Sequence, residues 1–444
     1  MSTTLLRPSP RRRLITPTGR ANTLITSDRY TSPEFMRLEM DHVWARVWNI
    51  GGRLSEIAEP GDYITHQLGL DPILMVRQDD GSVRAFHNIC PHRGNLLVQS
   101  ETGASDHFTC SYHGWKFALD GELFDVQDPD DFPQGNPCGK LRLKPIACEA
   151  WAGFIWYNLD VNCAPLGEFL GEVKDILDAY AIDRMTRVVY RVAEAPCNYK
   201  CIHDNFCESY HLPQTHPQLA EFFDDDYRNT EFFEYDTGHS LMKMKGSLPS
   251  KRGANPDSIN PVMAEEMTYW GLRPEDFEGR AGEVRAALQR QKRAEGARRG
   301  YDYFSGLGDD QLTDRYHFNI FPGTSITMSP VSLGLQRAEP HPTDPNKCIY
   351  EQWQLAAQAD DNGLAYSAVG MVPFEEAPRR VVVYGTESLG QVADQDLRAS
   401  AAQQRGFQGR GFDGAYLTGQ ESRIQQFHNC LDAWIEDGLR SSGG

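Results

Sequence analysis

Apolar residues three and four positions apart predict an amphipathic helix over residues 32–49. The side chains that would share its apolar face are Phe35, Leu38, Met40, Val43, Trp44 and Val47. Ser32 followed by Pro33 is a common start of a helix. The preceding residues 1–28 are polar and rich in Pro and Arg, and we expect them to form a flexible arm.

From residue 50 to residue 160 the pattern changes to short apolar runs of strand length. These runs cover residues 62–65, 72–76, 83–86 and 153–157. Turn-forming stretches such as Asp79-Asp80-Gly81 and Asp120-Gly121 separate them. The pattern predicts a small antiparallel β domain.

In the remaining chain, residues 161–444, helical and strand-like stretches occur in separate groups. Helices are predicted over 165–185, 281–297, 390–405 and 420–438, and strands within 316–337, 348–358, 364–371 and 381–385. The segment 224–310 is strongly charged, which is typical of a solvent-exposed face. Separate groups of strands and helices favour an α+β fold.

The resulting prediction is an α+β protein in four parts. A flexible arm (1–28) is followed by an N-terminal helix (29–49) that packs on the larger domain. The small antiparallel β domain (50–160) comes next, and the larger domain (161–444) contains an antiparallel sheet flanked by helices.

Composition excludes several classes of protein. The 444 residues carry a net charge of −18, which argues against a nucleic-acid binder, and 40% of them are hydrophobic, enough for a substantial core. No apolar run approaches the roughly 20 residues of a membrane span, and no apolar segment follows Arg11-Arg12-Arg13. We therefore expect a cytoplasmic protein with no membrane or nucleic-acid partner.

Two short stretches each offer one thiol and one imidazole. Cys90 and His92 form a C-x-H pair, Cys110 and His113 form a C-x-x-H pair, and 17 residues separate the pairs. Zinc accepts two cysteines and two histidines, but C-x-H fits zinc-finger spacing poorly. A [2Fe–2S] cluster with two cysteines on one iron and two histidines on the other matches both stretches.

A second group of residues indicates a mononuclear metal site. His211 and His216 are five residues apart, which rotates them by about 140° on a continuous helix. Pro213 disfavours a continuous helix, so His216 can turn back toward His211. A carboxylate would complete the two-histidine, one-carboxylate set of non-haem iron oxygenases. Taken alone, this histidine spacing is equally typical of an ordinary loop.

Together these motifs resemble those of the large (α) catalytic subunits of Rieske non-haem iron ring-hydroxylating oxygenases. The resemblance extends from the helix near Phe35 to Phe427-His428. The stretches that carry it are Cys90-Pro91-His92-Arg93-Gly94, Cys110-Ser111-Tyr112-His113-Gly114-Trp115, residues 151–156, and residues 198–216 with Glu208-Ser209-Tyr210-His211.

The resemblance implies a ligand set for each centre. The [2Fe–2S] ligands would be Cys90, His92, Cys110 and His113. The mononuclear Fe(II) ligands would be His211, His216 and Asp396. Asp394, two residues before Asp396, is the alternative third ligand.

Glu208, three residues before His211, is implied to act in electron transfer between subunits. A carboxylate there would bridge an iron-ligating histidine and a cluster-ligating histidine of the neighbouring subunit, and would fix both rings. Many relatives have the shorter Asp at this position, and the alternative is a surface carboxylate. The resemblance implies a homotrimer, with or without a small β subunit. It also implies that the segment 224–310 forms a lid and entrance helix.

The implied function is that of a terminal oxygenase component. It would hydroxylate an aromatic or other hydrophobic small molecule with O₂. Electrons would come from NAD(P)H through a flavin reductase or a ferredoxin, for which Arg93 and Lys116 are candidate contacts. Oxidative N- or O-demethylation is an alternative, and an electron carrier that uses only the cluster is a more distant one.

Candidate substrate contacts are mostly apolar, which favours a hydrophobic substrate. They are Phe206, Cys207, Leu212, His317, Phe318 and Phe321. Taken singly, each of them fits ordinary packing better than substrate contact.

Overall fold

The computed structural model describes residues 22–221, 223–252, 255–358, 362–367 and 370–442. These residues form two compact units. The first unit comprises Glu39–Phe169, and the second comprises the described chain up to Leu38 and from Leu170 onward. Residues 1–21, most of the predicted arm, lie outside the described part. Within the described ranges, every helix is too short or too polar to cross a membrane.

The first unit is an antiparallel β structure, as predicted. Its strands are β1 (Asn49–Arg53), β2 (Asp62–Leu68), β3 (Asp71–Arg77), β4 (Val83–His87), β5 (Thr102–Ala104), β6 (Phe108–Thr109), β7 (Lys116–Phe117), β8 (Leu123–Asp125), β9 (Pro145–Trp151) and β10 (Phe154–Asn158). Seven of them form one sheet in the order β1-β10-β9-β4-β3-β2-β5, and β6-β7-β8 form a second sheet.

One hydrophobic core of this unit contains side chains from both sheets. Phe117, Leu123 and Phe86 are among its buried members, and the thiols of Cys90 and Cys110 belong to the same cluster. The two cysteines are only 1% and 2% exposed. The core therefore fixes the base of both cysteine-bearing loops.

The helices of the chain are α1 (Asp28–Thr31), α2 (Pro33–His42), α3 (Leu166–Leu170), α4 (Glu172–Leu177), α5 (Tyr199–Phe206), α6 (Leu212–Thr215), α7 (Pro261–Tyr269), α8 (Val284–Glu295), α9 (Gln391–Phe407) and α10 (Ser422–Ser442). The strands of the second unit are β11 (Thr186–Ala195), β12 (Glu231–Glu234), β13 (Ser240–Met244), β14 (Arg315–Ile320), β15 (Thr324–Met328), β16 (Ser332–Pro340), β17 (Cys348–Ala356), β18 (Leu364–Ser367), β19 (Gly370–Pro373) and β20 (Arg380–Val381).

An eight-stranded sheet is the centre of the second unit. Its order is β12-β13-β14-β15-β16-β17-β11-β20, and all neighbours are antiparallel except β11 and β20. The sheet confirms the predicted α+β class. Helix α5 is held to β14, because the Asn319 amide donates to Cys207 Sγ at 3.1 Å.

Several predicted elements differ from the observed ones. The first helix ends at His42 rather than at residue 49, and a 3-10 turn then leads into β1. The strand predicted over 381–385 covers only Arg380–Val381. Strand β11 was not predicted, because its apolar side chains do not alternate with polar ones and it is buried over much of its length. Two strands, β12 and β13, occupy part of the predicted lid segment 224–310.

The described end of the predicted arm is bound to the C-terminal helix α10. The Thr23 amide donates to Asn429 Oδ1 at 3.0 Å, and Thr23 Oγ1 donates to Asp432 Oδ2 at 2.6 Å. Arg29 forms an ion pair with the same Asp432 at 2.9 Å. The described end of the predicted arm is therefore held at Thr23, whose amide and hydroxyl both donate to α10.

Candidate metal centres

The two cysteine-bearing loops of the first unit have the same backbone conformation. The Gly94 amide donates to the Cys90 carbonyl at 3.0 Å, and the Gly114 amide donates to the Cys110 carbonyl at 2.9 Å. Both glycines have a positive φ, +73° and +70°, which other residues rarely adopt. Each loop therefore turns tightly and directs one thiol and one imidazole to the same side.

Backbone N–H groups surround the two sulfur atoms. The amides of His92 and Arg93 hydrogen-bond to the Cys90 thiol, which opposes the effect of burial; burial still raises its pKa to about 11. Burial likewise raises the pKa of the Cys110 thiol, but amide hydrogen bonds outweigh it and the pKa lies below its usual value. Such donors favour a thiolate, the form that binds iron.

The two imidazoles of these loops lie close to each other. The ring centroids of His92 and His113 are 4.5 Å apart, and the His92 ring stacks on Trp115 at 4.5 Å. The buried Nδ1 of His92 has no hydrogen-bond partner among the described residues. A buried, unpaired ring nitrogen in a loop that also carries a cysteine is suited to metal ligation. The donor set therefore fits a Rieske [2Fe–2S] cluster.

The rim of this centre is exposed and includes the cation of Arg93. The Arg93 guanidinium lies 5.2 Å from the centre of the Tyr112 ring, which is 55% exposed. Lys116 instead forms an ion pair with Asp125 at 2.8 Å. Within the part of the chain that the structure describes, the exposed Arg93 has no ion pair with a carboxylate, in contrast to Lys116.

In the second unit an interruption between two helices positions the two histidines of the candidate mononuclear site. Asn198 caps helix α5, because its side chain accepts from the Lys200 amide at 3.0 Å, and the helix ends at Phe206. His211 and His216 then flank the short helix α6, with Pro213 in its first turn. Proline is tolerated in the first turn of a helix. Helix α5 already ends at Phe206, seven residues earlier, so Pro213 is not the residue that ends it.

Three candidate metal ligands lie close together near the interruption between α5 and α6. Ligand atoms of His211, His216 and Asp396 all lie within 4.8 Å of one another. Asp396 Oδ1 is 2.6 Å from His216 Nε2 and 3.7 Å from His211 Nε2. The competing Asp394 instead accepts hydrogen bonds from the Leu389 amide and the Ser388 hydroxyl at the start of α9. Two imidazoles and one carboxylate fit a non-haem iron site.

The other ring nitrogen of each histidine has its own oxygen partner. His211 Nδ1 lies 2.7 Å from Glu208 Oε1, and Glu208 Oε2 accepts from the His211 amide at 3.0 Å. Burial lowers the pKa of His211, but the hydrogen bond and charge of Glu208 outweigh it and the pKa is raised. His216 Nδ1 lies 2.8 Å from Gln395 Oε1. The sequence alone did not assign a role to Gln395.

Two predicted substrate contacts lie together beside α5. The His317 ring stacks on Phe206, with centroids 5.7 Å apart and planes at 21°. His317 Nδ1 bonds to Thr327 Oγ1 at 2.7 Å, and burial lowers the pKa of His317 to about 3. This imidazole is therefore neutral at ordinary pH.

The other predicted contacts are arranged differently. Leu212 is partly buried in α6 beside His211, and Cys207 accepts a hydrogen bond from Asn319. Phe318 points to the opposite face of β14 from His317, because alternate side chains of a strand face opposite ways. Phe321 follows the strand and packs near Phe427 and Trp434 of α10. The structure therefore does not group Phe318 and Phe321 with the histidines.

A buried arginine that the sequence did not reveal supports this region. Arg423 donates to Ser240 Oγ, to the Cys207 and His317 carbonyls and to Asn319 Oδ1, at 2.7–3.2 Å. Burial lowers the pKa of Arg423 to about 10. The guanidinium group of Arg423 therefore links the end of α5 and strand β14 to α10 through hydrogen bonds.

Comparison with family models gives two matches. The model described as "Rieske [2Fe-2S] domain" matches residues 47–136, and the model described as "Ring hydroxylating alpha subunit (catalytic domain)" matches residues 182–437.

Curated relatives match parts of the chain. The carnitine monooxygenase oxygenase subunit of Acinetobacter pittii is 34% identical over 197 residues, 43% of this chain and 52% of the relative. The alpha subunit of benzene 1,2-dioxygenase from Pseudomonas putida is 36% identical over 194 residues, 42% of each chain. The chain thus spans about half the length of the curated relatives it matches.

Solved structures share the fold over nearly the whole chain. Naphthalene 1,2-dioxygenase with bound indole aligns with a TM-score of 0.66 at 19% identity, covering 96% of this chain and 97% of the other. A quaternary ammonium Rieske monooxygenase in complex with L-carnitine aligns with a TM-score of 0.62 at 20% identity, covering 94% and 95%. At this identity the likeness concerns the fold alone.

Proposed function

The chain belongs to the ring-hydroxylating alpha-subunit family, and we propose that it is the terminal oxygenase component of a multicomponent Rieske oxygenase. It hydroxylates an aromatic or other hydrophobic small molecule with O₂. The observation that carries this proposal is that one chain contains both donor sets. Two thiols and two imidazoles lie in one unit, and two imidazoles and a carboxylate lie in the other.

The residues around each centre have separate tasks. When bound, the [2Fe–2S] cluster supplies single electrons and the mononuclear Fe(II) supplies the place where O₂ reacts. His92 and His113 present neutral nitrogen donors, and the backbone amides near Cys90 and Cys110 stabilise thiolates. His211, His216 and Asp396 would together hold the Fe(II).

Substrate contacts come from the residues beside α5. Phe206 offers an aromatic face, and the neutral His317 behind it offers no charge to the pocket. Such walls favour an uncharged or apolar ring over a carboxylate. Leu212, which follows His211 in the chain and is only partly buried, adds an apolar side chain, and the buried Cys207 packs behind this region.

Assembly and electron supply follow from the family, which implies an electron-donating partner and an oligomer. We propose that the protein is a homotrimer, with or without a small β subunit. In this trimer the Glu208 carboxylate would bridge His211 and a cluster-ligating histidine of a neighbouring subunit. The donor is a flavin reductase or a ferredoxin that is reduced by NAD(P)H. The ten free cysteines fit a reducing compartment, the cytoplasm.

Oxidative demethylation is the second candidate function. The relatives include both a carnitine monooxygenase and a benzene dioxygenase, and Glu208 is longer than the Asp common at this position. Hydroxylation of a methyl group on nitrogen or oxygen is the same first reaction, after which formaldehyde leaves. The two functions therefore differ in the substrate and not in the metal centres.

Iron analysis and product masses test the proposal. A purified oxygenase should contain about three Fe per chain, whereas a Rieske electron carrier should contain about two. With a surrogate reductase and a panel of aromatic and methylated compounds, products should gain roughly 16 or 34 mass units, or lose roughly 14 on demethylation. Two Fe per chain with no product would contradict the proposal.

A further inference from the structure

Consecutive residues of helix α9 contact both ring nitrogens of His216. Gln395 Oε1 lies 2.8 Å from His216 Nδ1, and Asp396 Oδ1 lies 2.6 Å from His216 Nε2. Gln218, just after α6, donates from Nε2 to the same Gln395 Oε1 at 2.8 Å. We propose that Gln395, oriented by Gln218, is a positioning residue that selects the metal-binding tautomer of His216. This inference rests on the iron site proposed above.

The hydrogen-bond directions determine the tautomer. A carboxamide oxygen can only accept, so the hydrogen between Gln395 and His216 must belong to Nδ1 of the imidazole. A neutral imidazole has a single N–H, which leaves the Nε2 lone pair free. That nitrogen faces the point shared with His211 and Asp396. The donation from Gln218 keeps the oxygen of Gln395, and not its NH₂ group, toward the ring.

The tautomer of His216 must be selected, because the opposite tautomer can form a hydrogen bond of its own. With the proton on Nε2, His216 would donate directly to Asp396 Oδ1 across 2.6 Å. That hydrogen bond would occupy both the imidazole and the carboxylate that the metal requires. The bond to Gln395 stabilises the competing, open arrangement. Hydrogen-bonded partners of metal-ligating histidines commonly act in this way.

The two histidines of the site differ in the charge of these partners. His211 is held by the carboxylate of Glu208, and His216 is held by a neutral amide. His216 is also the more buried of the two, at 1% exposure. A neutral acceptor orients this ring without placing a further negative charge in the buried part of the site.

The first experiment removes and then restores the acceptor. Protein that retains its cluster is stripped of mononuclear iron with a chelator and titrated anaerobically with Fe(II). Gln395→Leu should weaken Fe(II) binding by about 10- to 100-fold, the range for loss of such a partner, with the cluster absorbance unchanged. Gln395→Glu keeps an acceptor and should restore binding to near the wild-type value. Gln403→Leu, on an exposed position of α9, is the matched control.

The second experiment reverses the amide without removing it. In Gln218→Glu the new carboxylate can only accept, so Gln395 should turn its NH₂ group toward both neighbours. His216 Nδ1 would then accept, Nε2 would carry the proton, and Fe(II) binding should fall further than in Gln218→Leu. A purely structural role predicts the reverse order, because the carboxylate is nearly isosteric with the amide.

The outcomes separate this inference from the proposed function. If the wild-type protein binds no third iron, the proposed function fails. If the wild-type protein binds it and Gln395→Leu binds it equally well, the positioning role alone is overturned. Equal loss in Gln395→Leu and Gln395→Glu would also overturn it, because the acceptor would then not matter.

Discussion

At the scale of single residues, the oxygen that holds each imidazole matters as much as the imidazole itself. His211 and His216 each use Nδ1 for an oxygen of the protein and direct Nε2 toward Asp396. In the first unit, His92 instead has a buried Nδ1 for which the described part of the chain offers no hydrogen-bond partner. The same side chain can therefore offer a different nitrogen in the two centres, according to its neighbours.

Glu208→Gln should retain both metal centres but slow electron transfer. The amide oxygen can still accept from His211 Nδ1, whereas the negative charge proposed to connect two imidazoles is lost. We expect cluster reoxidation in a single turnover with substrate to slow by about 10- to 100-fold. Glu231→Gln, at an exposed position of β12, should not change that rate. A wild-type rate in Glu208→Gln would refute the bridge.

At the scale of elements, short breaks and paired strands position the site. Helix α5 ends at Phe206, and α6 begins only at Leu212, so the intervening turn frees His211 from helical spacing. On the sheet, β16 and β17 are held by a buried ion-pair group. Arg337 Nη2 is 2.7 Å from Glu351 Oε2, its partner in register across the strands, and Arg337 Nε is 3.3 Å from Glu339.

Pro213→Ala should leave the iron site intact. Pro213 lies in the first turn of α6, where its missing N–H is not needed, so the turn before it is made by other residues. We expect wild-type iron content and a change in the free energy of unfolding within about 1 kcal/mol. If Pro213 were the residue that breaks a longer helix, Pro213→Ala would instead lose the third iron.

Glu351→Ala should destabilise the eight-stranded sheet strongly. The side chains of Arg337, Glu351 and Glu339 are 2%, 5% and 3% exposed, so removal of one carboxylate weakens the pairing of a buried cation. We expect a loss of about 3 kcal/mol in the free energy of unfolding, measured by urea denaturation. Asp178→Ala, which removes the exposed partner of Lys174, should cost less than about 1 kcal/mol.

At the scale of the whole molecule, each centre is assembled inside its own compact unit. The cluster loops belong to Glu39–Phe169, and the mononuclear site belongs to the unit that contains the chain from Leu170 onward. In the second unit, 180 positions separate His216 from Asp396, and the packing of α9 closes that distance to 2.6 Å.

Loss of one centre should therefore spare the other. Cys110→Ala should abolish the visible absorption of the cluster and keep the mononuclear iron. His211→Ala should do the opposite and also abolish product formation. Cys138→Ala removes a partly buried thiol that is proposed as a ligand of neither centre, and should change neither signal. Simultaneous loss of both metals in either ligand variant would contradict the separate assembly of the centres.

Local sequence spacing determined much of this protein. The pairs Cys90–His92 and Cys110–His113 lie within single tight turns, so a few backbone angles fix their geometry. The antiparallel β character of residues 50–160 and the α+β class also followed from local pattern, and the observed sheets confirm both.

Only the tertiary structure decided which distant residues meet. The choice between Asp394 and Asp396, the contact of Gln395 with His216 and the opposite orientations of His317 and Phe318 all depend on packing across more than a hundred residues or on strand register. Strand β11 is buried over much of its length, so its sequence lacks the alternation of apolar and polar residues by which a strand is predicted. Local spacing constrains a few dihedral angles, whereas the position of α9 depends on the sum of many weak contacts that no short stretch of sequence contains.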